Sequence, residues 1–351
     1  MQRYKKKLYL CIIQIFKMQS SSNTLKNSLI FILLAILLII FFIIDIIFGS
    51  VNLGFGAIFS QESIYREIIF NLRLPKAVTA VITGASISVS GLIMQTLFRN
   101  PLAGPYVLGV SSGASLGVAV FLLGSGFLPV FLTQSGWGIV ISAILGAIFV
   151  LLLVLGVSFK IRQAVSLLII GMMFGQIAGS LVTILQTNSN PDALKVFVVW
   201  TFGSLQAVTW SFMWVMLPLV LVGFLLVFFI QKQLNGLLLG EHYAKGLGIS
   251  ISRTRILIII AVALLAGAPT AFTGPIAFIG MAVPHLARGL FRTSNHKILI
   301  PATMLCGAIL LLLCDLASTQ IPAEGQTLPI NAISALVGAP IVVWVVMKSK
   351  K

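Results

Sequence analysis

The sequence predicts an all-α polytopic membrane protein of about ten transmembrane helices. Three observations carry that prediction. Hydrophobic residues occupy 59% of the 351 positions and charged residues only 9%, with a mean hydropathy of +1.11, whereas a soluble domain carries about a quarter charged residues. A water-soluble fold cannot cover itself with so few charges. Apolar runs recur along the chain, most of them about long enough to cross the ~30 Å hydrocarbon core. The basic residues collect on alternate connecting segments, as the orientation rule for membrane helices requires.

The first run, residues 28–48, carries one charge, Asp45, near its far end. No small-residue cleavage site follows it, so it reads as an anchor and not a removed signal. Further spans are expected at about 68–98, 106–124, 136–159, 164–187, 209–230, 254–273, 281–291, 298–320 and 329–347. As one helix the second would be roughly 45 Å long, so it must tilt or project beyond the lipid. The run 281–291 is too short to cross alone. The chain thus divides into a basic cytoplasmic segment 1–27, a transmembrane domain 28–348 and a cytoplasmic tail 349–351. Residues 1–27 suit an amphipathic segment on the inner leaflet, with Met18 as an alternative start.

With the N-terminus inside, ten spans place all 23 basic residues on inner segments except Arg66, Arg73, Lys76 and Lys195. A crossing missed in mid-chain would scramble that division. Among the acids, Glu62, Glu67, Asp192, Asp315 and Glu324 fall at or near the outer side and Glu241 falls inside. Both termini are therefore expected on the cytoplasmic side of the membrane. The net charge of +16 follows from topology and attraction to anionic lipid, and needs no nucleic-acid partner.

Chemistry-bearing residues are sparse. Cys306 and Cys314 share one span, about 12 Å apart along a helix, too far for a disulfide. His242, His285 and His296 are dispersed, with no H-E-x-x-H or Cys/His cluster, so neither a metal nor a cofactor is expected. His285 reads as a structural histidine at a helix end. No G-x-x-x-x-G-K-[ST] occurs, nor even a Gly-Lys pair, so ATP-driven work requires a partner. Asp45 and Asp315 are expected near outer helix ends within reach of water, which leaves no buried relay for an ion-coupled carrier. No nucleophile and base converge, so no catalytic residue is assigned.

What stays polar inside the spans is Ser, Thr, Gln and Gly. Ser86, Ser90, Gln95, Ser111 and Ser112 are candidates to line a weakly polar passage for a large cargo, and Gln176 and Ser180 belong to the same set. The alternative is helix contact, since small residues let backbones approach and hydroxyls bond across helices.

Four motifs in order, "RLPKAVTAVITGASISVSGLIMQTLFRNPLAGPYVLGVSSGASLG" (73–117), "LLGEHYAKGLGISISRTR" (238–255), "GPIAFIGMAVPHLAR" (274–288) and "LPINAISALVGAPIVVWVV" (328–346), resemble the FecCD/BtuC family over about residues 28–348. These are permease subunits of ABC importers for iron–siderophore complexes, haem and cobalamin. The resemblance implies a permease working with a second permease copy, as a homodimer or with a sister subunit, together with two ABC ATPase subunits and a substrate-binding protein. The cargo first implied is a ferric siderophore, with cobalamin or haem as the alternative. An ion-coupled carrier, a membrane enzyme and a structural anchor are the readings from other classes.

The resemblance also implies residue roles. Asn100, Pro101 and Leu102 match an inner gate, where the two prolines of "RNPLAGP" bar a continuous helix. The gate's other half corresponds to Gln163 and Ala164, where small hydroxyl residues are usual. Gly240, Glu241, Ala244, Leu247 and Gly248 match the element that docks on the ATPase. Arg73 and Lys76 match basic residues that meet the binding protein. Thr319, where an arginine is expected, and "TLPIN", with Thr327 and Asn331, depart from the family pattern.

Overall fold

Glycine and proline decide where the apolar runs break, and the breaks decide the architecture. The computed structural model describes residues 2–49, 63–124, 136–161, 163–322 and 326–349, so Glu62, Arg162, Glu324 and the last two lysines lie outside the described residues. Every regular element among them is helical. Helix α1 (Gln2–Ile47) contains the apolar stretch Leu25–Ile47. A short α2 (Ser63–Glu67) runs through a π-helical stretch, Ile68–Arg73, into α3 (Leu74–Phe98). Arg99 ends that rod in the left-handed region (φ 47), and the chain turns back. Pro105 then packs on Gly280, which itself touches the Ile87 carbonyl midway along α3. The segment 100–109 thus climbs beside α3, and α4 (Val110–Leu123) starts only after Gly109 (φ 73).

Next come α5 (Gly136–Ser158), α6 (Ala164–Thr187), α7 (Pro191–Thr201), α8 (Trp210–Phe229), α9 (Gln231–Leu238) and α10 (Glu241–Gly246). Helix α11 (Ile251–Val262) continues through a π-helical stretch into α12 (Ala268–Thr273), and a break at residues 274–278 precedes α13 (Ile279–Phe291). Helices α14 (His296–Gln320) and α15 (Ile330–Ser349) close the chain.

Each expected apolar run is helical, but among the described residues only seven helices are long and apolar enough to cross a membrane. Helices α4 and α13, with 14 and 13 residues, begin at breaks inside the bundle. Two helices were not anticipated, α7 and α9, both too short to register as membrane runs. Asn190 caps α7 by accepting from the Asp192 amide (3.0 Å), and α9 buries Leu234 and Leu237.

Helix α3 is the axis of the core. Its small residues bring other backbones into contact: a side chain at Gly84 would meet the Gly307 carbonyl of α14, and one at Gly91 would overlap the Gly280 carbonyl of α13. The Ser-Gly run opening α4 does the same against α5, where Gly113 and Gly117 interlock with Gly146. Van der Waals contact between closely approaching backbones holds helices together where lipid supplies no hydrophobic drive.

Candidate functional site

At one end of the bundle, three helices share a buried charge cluster. Lys76 of α3 donates to Asp45 of α1 at 3.2 Å and forms an ion pair with Asp315 of α14 at 2.5 Å. Arg73, one turn earlier, donates to the carbonyls of Ile46 (2.9 Å) and Ile47, the last residues of α1. Burial of all four is nearly complete. Two expectations are corrected here. Arg73 and Lys76 are not surface charges open to a docking partner; they anchor helix ends, because a buried ammonium or guanidinium is tolerable only when paired. Asp45 and Asp315 are not bathed by water, so the spans do contain buried acids, held by one lysine. Thr319 is also buried, its hydroxyl bonded to the Asp315 carbonyl (3.1 Å). Asn331 accepts from the Ala277 amide (3.1 Å) and so ties the start of α15 to the break before α13.

The opposite end carries the turn that follows α3. Asn100 accepts from the Leu102 amide (2.9 Å), an Asx turn that orients Pro101 and Leu102 outward. Helix α13 holds this turn from behind. His285 Nε2 donates to the Pro101 carbonyl (2.7 Å), Arg288 donates to Gln95 Oε1, and Gln95 Nε2 donates to the Met281 carbonyl (3.1 Å). His296 joins Thr96 of α3 (2.8 Å) to Asn235 of α9 (2.8 Å). Gln163 is exposed at the N-cap of α6 and accepts from Ser166 (3.4 Å); Ala164 is the first residue of that helix. Among the described residues, no hydrogen bond joins Gln163 to the turn 100–102.

Beside that turn stands the element 239–248. Gly240 (φ 107) and Gly248 (φ 80) bound α10 with conformations only glycine adopts readily. Ala244, expected to enter a partner's groove, is 0% exposed and faces α9 near Gly236. That assignment is corrected: in a helix anchored at both ends by glycine turns, the residue facing its neighbour is unavailable. What the element presents is Tyr243 and Leu247, one helical turn apart at 73% and 66% exposure, with Leu239, 62% exposed, just before the Gly240 turn. Tyr243 was missed, although its i, i+4 spacing with Leu247 signals it. Glu241 pairs with Arg255 of α11 (3.4 Å), which also donates to the Ile161 carbonyl (2.8 Å).

The expected passage residues separate. Ser86 and Ser90 are buried, their hydroxyls returned to the carbonyls of Thr83 (3.1 Å) and Ile87 (2.7 Å), and Gln95 is bonded to α13. They serve helix contact within the subunit. Ser112 is half-buried beside Gly175 of α6, and Ser111 borders a cavity of about 170 Å³ with Tyr106, Thr270 and Asn331. The exposed weakly polar face lies on α6: Gln176, Ser180, Thr183 and Thr187, spaced to share one side. The hydroxyls of the last three bond back to their own helix at 3.0–3.1 Å.

Residues 37–348 match the FecCD transport family. The chain is 35% identical over 299 residues to YvrB, an ABC transporter permease protein of Bacillus subtilis, covering 84% of this chain and 83% of that one. It is 36% identical over 285 residues to the vitamin B12 import system permease BtuC of Salmonella typhi, covering 81% and 84%. A solved inward-facing conformation of a metal-chelate type ABC transporter superposes with a TM-score of 0.81 at 32% identity, over 92% of this chain and 99% of that one.

Proposed function

The chain belongs to the FecCD transport family and is a multi-pass ABC transporter permease; from that premise we propose that it carries large metal chelates inward, ferric siderophores first, using ATP hydrolysed by separate subunits. The observation that carries this reading is the exposed ridge of Tyr243 and Leu247 on a short helix between two glycine turns, with exposed Leu239 just ahead of the first turn. Such a knob suits a groove on a soluble partner. It stands beside Arg99, near the end of the bundle that holds the turn 100–102.

In this reading the chain crosses the inner membrane ten times, by the seven long spans, by the shorter apolar stretch of α15, and by α4 and α13 together with the non-α segments that precede them, with both termini cytoplasmic. Two copies pair, and the passage runs between them along the α6 faces. The gate is the turn 100–102 with the start of α6, Gln163 and Ala164, and two ATPases grip the ridges. A binding protein delivers cargo to the opposite end, where Arg66 is exposed while Arg73 and Lys76 are not. A face of hydroxyls and amides without ionised groups passes a bulky chelate without holding it. Cobalamin is the second reading, favoured by the BtuC relative.

The test is uptake of labelled ferric siderophore, haem and cobalamin by permease, ATPases and binding protein reconstituted in proteoliposomes. ATP-dependent uptake of one of them is expected, and permease alone should hydrolyse no ATP. Tyr243→Asp with Leu247→Asp should leave the protein in the membrane but abolish co-purification of the ATPase. Uptake that survives ATP depletion and collapses with an uncoupler would overturn the reading.

A further inference from the structure

Arg255 touches two elements that matter for different steps. It lies one turn into α11, 5% exposed. One nitrogen donates to the Ile161 carbonyl at 2.8 Å, in the turn that ends two residues before Gln163 and the start of α6. Another reaches the Glu241 carboxylate at 3.4 Å, on the first residue of α10. The same guanidinium therefore bridges the element bearing the exposed ridge and the turn leading into the expected gate. Beside it is a cavity of about 350 Å³, bordered by Ser158, Phe159, Lys245 and Ser252.

We infer that Arg255 is the positioning residue that carries motion of α10 to the start of α6. This inference rests on the permease reading above. A planar, permanently charged fork can serve a carbonyl on one side and a carboxylate on the other, which a single ammonium does not reproduce. Because the guanidinium is buried, leaving either partner behind would strand a charge or a carbonyl without its bond. The partners therefore move with it. Glu241, with its side chain 34% exposed, forms the softer joint on the ridge side, and the Ile161 carbonyl forms the stiffer one on the gate side. The cavity leaves room for α10 to shift toward the turn without collision. Closure of two ATPases on the ridges would push α10, and through Arg255 the turn at residue 161, resetting the first residues of α6. Nothing in this transfer needs a covalent step, and the ridge itself does not include Arg255.

The experiment uses the whole reconstituted complex, with wild type, Arg255→Met and Arg255→Lys compared for ATPase co-purification, ATP hydrolysis and chelate delivered per ATP. A maleimide probe at Gln163→Cys, in a background lacking Cys11, Cys306 and Cys314, reports whether the start of α6 responds to ATP. Both variants are expected to assemble and hydrolyse ATP, to deliver at least tenfold less chelate per ATP, and to lose the ATP-dependent change in labelling at residue 163. If Arg255→Met fails to accumulate, Arg255→Lys decides, because it keeps the buried charge but not the two-way fork. Wild-type delivery per ATP in either variant, or an undiminished labelling response, overturns the inference. A wild-type complex that moves no chelate with ATP would instead overturn the permease reading, which keeps the two failures distinct.

Discussion

Helices α3 and α6 have nearly the same length and similar proportions of Ser, Thr, Gly and Gln, yet in an apolar 18-residue window of the span containing α3 83% of residues are buried within the subunit, against 22% in that of α6. Hydropathy barely separates them, at 1.8 and 2.0. In α3 the small residues are filled by other backbones, at Gly84 against Gly307 and at Gly91 against Gly280. In α6, by contrast, a side chain at Gly179 would meet nothing within 4 Å among the described residues. Helix α3 uses its small residues to be packed around, whereas α6 packs Gly171 and Gly175 against residues 107–112 but leaves Gly179 facing outward beside Gln176 and Ser180. The same polar vocabulary thus does structural work on α3 and stays exposed on α6.

The harshest test of this contrast is a matched pair of glycine substitutions. Gly91→Leu should remove the protein from the membrane, since its side chain must displace the α13 backbone at a cost above about 3 kcal/mol. Gly179→Leu should accumulate like wild type, as quantitative blotting of membrane fractions would show. Equal loss in both would erase the distinction between the helices.

Nearly as large is the expected effect of Lys76→Met, which strands two buried carboxylates on neighbouring helices. Breaking a buried ion cluster from one side costs about 3–5 kcal/mol, so the thermal unfolding midpoint in detergent should fall sharply. Adding Asp45→Asn and Asp315→Asn to Lys76→Met should recover much of the loss. No change in the single variant would mean that water reaches the cluster and that α3 is less enclosed than described.

The α6 face gives a smaller and different signal. Gln176→Leu with Ser180→Leu should leave accumulation and unfolding unchanged while slowing chelate uptake about tenfold, equivalent to ~1.4 kcal/mol on the transport barrier. Uptake at the wild-type rate would remove α6 from the passage. The mildest change belongs to Ser90→Ala in α3, which deletes one hydroxyl bonded to its own helix and should shift stability by no more than about 1 kcal/mol with uptake intact. A transport defect there would return the α3 serines to the passage.

Much of the fold was legible before any coordinates. Each apolar run became a helix, and Pro101 and Pro105 marked the turn after α3. The site was legible in outline and misread in detail. Ala244 and Leu247 look equivalent as apolar residues in one loop, yet one faces α9 and the other faces outward. Lys76 looks like one of four rare outer charges, yet its partners come from residues 45 and 315, far apart in the chain. Arg255 drew no attention, because its partners at residues 161 and 241 lie on other elements.

The sequence alone determined that this is a many-helix membrane protein, that it lacks a P-loop, and which family motifs it bears, because composition, run length and fixed spacing are properties of the chain taken locally. Tertiary structure alone decided which small and polar residues are packed and which are exposed. A serine on an apolar helix has the same periodicity whether a neighbouring backbone covers it or not, and only the approach of α13 and α14 to α3, and the absence of such an approach at Gly179 of α6, settles the matter.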